Sequence, residues 1–176
     1  LGRGAEWKKL LYFWNSQPLV AHLARAIETG RPGDDCIRPI LNYYNPTGSS
    51  RFVHGQTSRE TYPTRHSHVN DVVIDSGWEG RAAKVLDDLA EPGHVNAWVK
   101  NSFLEFRIPY TDAAGEQRNY YPDFIVNCRL AGGRSANIIV EVTGFDRDKE
   151  AKRWTVINRW LPAVNRIRNQ HGWDKW

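Results

Sequence analysis

The chain has 176 residues, 40% apolar and 25% charged, with a formal net charge of +4. That length suits one domain with an appendage, and the composition excludes a disordered chain. No apolar run is long enough to cross a bilayer, and two cysteines, Cys36 and Cys128, are too few for a disulfide framework; a reducing, cytoplasmic setting is expected.

Methionine is absent and the chain starts abruptly with Leu-Gly-Arg-Gly, so it reads as a fragment, the end of a larger polypeptide. Residues 1–70 read as a helical and loop-rich extension. Short helices are expected over Trp7–Phe13 and Leu19–Ile27, with Gly30 as a stop, and a Pro-, Gly-, Ser- and Asn-rich stretch follows over 31–70. Residues 71–176 carry the periodic signals. Trp78, Ala82, Val85, Leu86 and Leu89 fall on one face of a helix that Pro92-Gly93 ends. Strands are predicted at Val95–Val99, Phe103–Tyr110, Asn119–Val126 and Asn137–Thr143, with a turn over Asp112 to Gly115. A second helix is predicted from about Asp146 to Leu161, where Pro162 forbids continuation, and a last strand near Trp173.

Charge is unevenly placed. Residues 71–146 hold seven Lys/Arg against twelve Asp/Glu, and residues 147–176 hold eight against three. Such a pattern sets an acidic site beside a phosphate-binding surface, although on charge alone a solvated helix of mixed sign is the better account.

Two acids stand out. Asp123 lies in Tyr120-Tyr121-Pro122-Asp123-Phe124-Ile125-Val126, and Glu141 in Ile138-Ile139-Val140-Glu141-Val142-Thr143. An ionised carboxylate among apolar strand residues needs a partner, and two on neighbouring strands can share a divalent cation through oxygen. The histidines point elsewhere: His54, His66 and His68 lie in a polar loop with no cysteine nearby, short of a zinc site. Neither a Gly-rich phosphate loop nor a Ser-His-Asp order is present.

Pro122-Asp123 followed by Glu141-Val142-Thr143 resembles the PD-(D/E)xK nuclease motif. More narrowly, Ser76-Gly77-Trp78-Glu79, Ala97-Trp98-Val99-Lys100-Asn101, Ile108-Pro109-Tyr110, Tyr120–Ile125 and Trp160–Asn165 resemble the C-terminal nuclease region of type III restriction-enzyme res-subunit-like proteins. The resemblance implies an α/β restriction-endonuclease-like core, a mixed central sheet flanked by helices, over 71–176. It also implies hydrolysis of double-stranded DNA with Mg2+, or Mn2+ in its place, a helicase motor earlier on the same polypeptide, and a methyltransferase subunit as a further partner. By position, Asp123 and Glu141 become the metal ligands. The motif's lysine falls on Thr143, which cannot supply a positive charge.

Lys149 and Lys152, three apart on the following helix, are the candidate substitutes, with solvated ion pairing as the competing account. Glu79 is a candidate third metal ligand, although Ser76-Gly77-Trp78-Glu79 also fits a capping box. Lys100, Arg147 and Arg153 are candidate DNA contacts, and Tyr121 is expected beside Asp123 as a carboxylate partner or a packed core aromatic. The competing function is a nuclease-fold module that has lost catalysis and only grips DNA for an attached motor.

Overall fold

The computed structural model describes residues 18–23, 41, 47–142 and 148–176. Of the extension, 18–23 are helical and Ser50–Phe52 form a 3-10 turn; the expected helix over Trp7–Phe13 lies outside the described residues. The first strands, β1 (Thr61–Pro63) and β2 (Asp71–Val73), pair antiparallel. This hairpin spans the 70/71 boundary, and Tyr62 and Val69 pack on the same core as the residues that follow.

Helix α1 (Gly77–Ala90) forms at the predicted place, but it is rotated. Its buried residues are Ala83, Leu86, Asp87 and Ala90, while Trp78, Val85 and Leu89 are exposed. The cause is Asp87, which is 2% exposed. Its carboxylate accepts from the indole Nε1 of Trp98 (2.9 Å) and from the backbone N–H groups of Arg65 (3.2 Å) and His66 (3.3 Å). A buried acid satisfied by three donors can outweigh larger apolar side chains in choosing a face. Trp78 instead lies at the surface with the Arg81 guanidinium 5.3 Å from its ring centre.

The central sheet has three antiparallel strands in the order β3 (Val95–Lys100), β6 (Phe124–Arg129), β7 (Ser135–Val140). Ser67 adds a parallel bridge to Trp98 in β3, and Lys175 adds one to Ala136 in β7. Valine, isoleucine and aromatics run consecutively in these strands, as Phe124-Ile125-Val126 and Ile138-Ile139-Val140 do, and so supply both faces. Trp98, Phe124 and Val126 pack with α1 and Val72. Ile139 joins a second core with Ile108, Tyr110, Tyr120 and Phe106.

Between β3 and β6 runs a separate hairpin, β4 (Ile108–Thr111) and β5 (Gln117–Tyr120). The predicted strand over Phe103–Tyr110 therefore begins five residues late. Phe103 (φ 64°) and Glu105 (φ 56°) adopt left-handed backbone that no strand tolerates. The Asn101 side chain holds this loop, donating to the Phe106 carbonyl (2.7 Å) and accepting its N–H (3.2 Å). The predicted strand over Asn119–Val126 is likewise two strands, β5 and β6, broken at Pro122. The turn over 112–115 is as expected: Gly115 sits at φ 87°, and Asp112 accepts from the N–H groups of Ala114 and Glu116.

The C-terminal helix does not stop before Pro162. Helix α2 (Lys149–Thr155) passes through a π-helical turn, Val156–Trp160, into α3 (Leu161–His171). Proline falls in the first turn of α3, where its missing N–H costs least. The wider turn before it removes the steric conflict that would break an ordinary α-helix, and Asn158 Nδ2 serves the Trp154 carbonyl at 2.9 Å. Gly172 (φ 66°) ends α3, and Trp176 then stacks on Phe106 with Trp160 edge-on. No helix among the described residues is long and apolar enough to cross a membrane.

Candidate functional site

Phe124 pairs with Val140, so one further antiparallel step sets Asp123 opposite Glu141. Both acids stand just outside their strands, Asp123 on the bend before β6 and Glu141 directly after β7. Buried Pro122 fixes that bend, because its ring restricts the backbone and it has no N–H to extend the ladder. The Asn101 N–H donates to the Asp123 carbonyl (2.7 Å), and the Val142 N–H donates to Asp123 Oδ2 (2.6 Å). Tyr120 donates its hydroxyl to Glu141 Oε2 at 2.9 Å.

Both carboxylates are held above their ordinary proton affinity. Desolvation raises Asp123 first, against the Val142 N–H, and the charge of Glu79 raises it further; Lys100 and Lys152 pull it down. Desolvation also raises Glu141 first, against the Tyr120 hydroxyl, with Asp123 adding to the rise and Lys152 opposing it. Glu141 as a residue is exposed, so this crowding is local to its carboxylate, pressed between Tyr120 and Asp123. The two acids repel each other across the strand gap, and a cation is the group that would relieve them.

Glu79 does two jobs at the start of α1. Its N–H bonds Ser76 Oγ (3.3 Å) while its own Oε2 accepts from the Asp75 N–H (2.9 Å), an arrangement close to the expected capping box. The same oxygen accepts from Lys100 Nζ at 2.9 Å. Among the described residues no three His, Cys, Asp or Glu side chains come together as a metal-binding group. The three-carboxylate set of Glu79, Asp123 and Glu141 is therefore not assembled, because Glu79 is committed to the helix start and to Lys100.

Lys100 departs from a surface phosphate contact. It is 6% exposed, and its ammonium donates to the Val73 carbonyl (2.8 Å), Asp75 (2.7 Å) and Glu79 (2.9 Å). Lys100 is the first cause of the lowered proton affinity of Asp75. Its role here is to tie β3 to the entry of α1, with its charge felt at Asp123.

Lys149, Lys152 and Arg153 share one face of α2 and line an open cavity of about 340 Å³ with Glu141, Tyr120, Ile139, Val156 and Ile157. The Lys152 ammonium lies 5.5 Å from the Tyr120 ring centre and 5.9 Å from that of Tyr110. Among the described residues it is the cation whose field reaches both Asp123 and Glu141. Thr143 and Arg147 lie outside the described residues.

Tyr121, expected on the Asp123 face, is 48% exposed, and the phenol that touches Glu141 is that of Tyr120. Counting alternate residues back from Asp123 assumed one continuous strand, and the break at Pro122 shifts the count by one. No family model, curated protein or solved structure matches this chain.

Proposed function

We propose that the chain is a metal-dependent nuclease domain of PD-(D/E)xK type that hydrolyses DNA phosphodiesters. The observation that carries this reading is the Asp123–Glu141 pair: two desolvated, mutually repelling carboxylates at adjacent strand ends, with Lys152 close enough to act on both. The order α1, β3, β6, β7, then the α2–α3 helix and an edge segment parallel to β7, supports a restriction-endonuclease-like core carrying the β4–β5 hairpin as an insertion.

Oxygen donors on two carboxylates suit Mg2+, which keeps several waters and needs only one or two protein carboxylates. Such an ion, held by Asp123 and Glu141, would supply an activated water and charge stabilisation at the phosphate. The chain's own groups do the rest. Tyr120 and the Val142 N–H fix the two carboxylates in place. Lys152, on the following helix, would supply the cation that Thr143 cannot and stabilise charge developing on the phosphate. Lys149 and Arg153 hold the neighbouring backbone. The resemblance to res-subunit-like proteins would set a helicase motor before this domain.

A second reading, a nuclease-fold module that grips DNA without cutting it, is favoured by Thr143 and by the lack of a third carboxylate at the pair among the described residues. Nicking of supercoiled DNA in Mg2+ or Mn2+ separates the two. On the nuclease reading Asp123→Ala loses about 1,000-fold, the several kcal/mol a bound cation contributes to a transition state. Lys152→Ala loses about 100-fold, as for one lost charge-stabilising donor. Equal cutting by Asp123→Ala and wild type overturns the nuclease; salt-dependent binding with no cutting in either metal establishes the binding module.

A further inference from the structure

We infer that the cavity beside Glu141 is a binding site for one unpaired nucleotide, holding its phosphate and its base together; this rests on the nuclease reading and names the form of nucleic acid it accepts. The cavity has two chemically different parts. Lys149, Lys152 and Arg153, at i, i+3 and i+4 of α2, make one wall cationic. Lys149 and Arg153 alone outnumber the single carboxylate of Glu141 in this lining, which suits phosphate oxygens. Among the described residues neither Lys149 nor Arg153 has an ion-pair partner.

The other part is apolar. Ile139 comes from β7, and Val156 and Ile157 come from the π-helical turn, a distortion that recurs at functional sites. Ile157 is 49% exposed, so the turn holds an aliphatic surface open to the cavity instead of burying it. A duplex backbone has no use for that surface, since it offers phosphates and sugars to the protein and keeps its bases stacked. Free phosphate has none either. A ligand that fills both parts carries an anion and a flat, largely apolar group a few ångströms apart, which describes a nucleotide whose base has left the stack. The volume of about 340 Å³ lies in the range of small-molecule sites. Its position against Glu141 sets that nucleotide next to the phosphate under attack, so the substrate is single-stranded or frayed at the point of cutting.

Metal-free protein in EDTA is titrated with thymidine 5′-monophosphate, inorganic phosphate and thymidine as separate probes, with binding read from amide chemical shifts. The nucleotide is expected to bind at least ~10-fold more tightly than either part alone, since joining the parts removes one entropic cost of association. Ile157→Asn, an uncharged change at a half-exposed position, should erase the advantage of nucleotide over phosphate while leaving phosphate binding. Lys149→Ala with Arg153→Ala should weaken both. Phosphate binding as tightly as the nucleotide, or a nucleotide preference unchanged in Ile157→Asn, overturns the inference and leaves an anion site only. With no divalent cation present, the two readings fail separately. Absence of DNA cutting with the nucleotide preference intact sinks the nuclease alone, and cutting without that preference sinks the unpaired-nucleotide site alone.

Discussion

Asp123 and Glu141 are costly residues in the ionised form, and their cost has a pH signature. Each has its folded-state proton affinity raised, chiefly by desolvation. In metal-free buffer the native state then holds protons that the unfolded chain has released, so these two acids make stability fall as pH rises above the ordinary values of 3.8 and 4.5. Asp75, held down chiefly by its bond to Lys100, acts in the opposite sense, and its contribution is lost as pH falls below 3.8. Stability in EDTA should therefore peak in weak acid. Asp123→Asn should flatten the alkaline side of that peak and raise the neutral-pH Tm, by about 2–4 °C for each kcal/mol of repulsion removed. A Tm in the variant that is lower at pH 7 and unchanged at pH 4 would contradict the strain assigned to the pair. Asp87 is the contrasting buried acid, since all its partners are donors. Asp87→Ala should cost ~3 kcal/mol or more in urea unfolding, because three donors lose their acceptor. The acids at 123 and 141 could be found in the sequence because each interrupts an apolar run of residues. Asp87 could not, because in a helix a buried Asp and an exposed one look alike until the partner indole of Trp98 is placed.

At the level of elements, helix α1 and the strands from β3 onward followed from periodicity, the short β1–β2 hairpin did not, and the other failures cluster at bends. The left-handed residues Phe103 and Glu105 carry no glycine to announce them, and Pro122 divides two strands that read as one run. Pro162 read as a stop, yet a π-helical turn carries the helix past it, and that same turn lines the cavity with Val156 and Ile157. The β3–β4 loop gives the sharpest test of this account. Left-handed backbone costs a side-chain-bearing residue ~1–2 kcal/mol and glycine almost nothing. Glu105→Gly should thus leave the protein as stable or up to ~1 kcal/mol more stable, the gain being reduced by glycine's greater unfolded-state entropy. Asn101→Ala should lose ~2 kcal/mol, because both Phe106 backbone groups lose their partner. Since the Asn101 N–H also bonds the Asp123 carbonyl, on the nuclease reading loosening the clamp should lower nicking along with stability. A clear loss of stability in Glu105→Gly, with none in Asn101→Ala, would mean that the loop is not held by strain against a clamp.

Across the whole molecule, the sheet holds two cores apart, with α1 on one face and the β4–β5 hairpin with the C-terminal helices on the other. Asp123 and Glu141 lie where the layers meet: Phe124 and Val140, beside them, belong to the first core, and Tyr120 and Ile139 to the second. A cation shared by the two acids would therefore brace both cores at once and would be seen as global stabilisation. A ligand at 100 times its dissociation constant adds ~2.7 kcal/mol, or roughly 5–11 °C in Tm for a chain of this size. Mg2+ should raise the wild-type Tm by such an amount, and EDTA should reverse it. Asp123→Asn starts from a higher metal-free Tm and should gain little on adding Mg2+, so the two curves converge at saturating metal. The convergence is the informative part, because a nonspecific effect of Mg2+ on this mixed-charge surface would shift both proteins in parallel. Parallel shifts would remove the cation from the Asp123–Glu141 pair and, with it, the main support for cleavage by this domain.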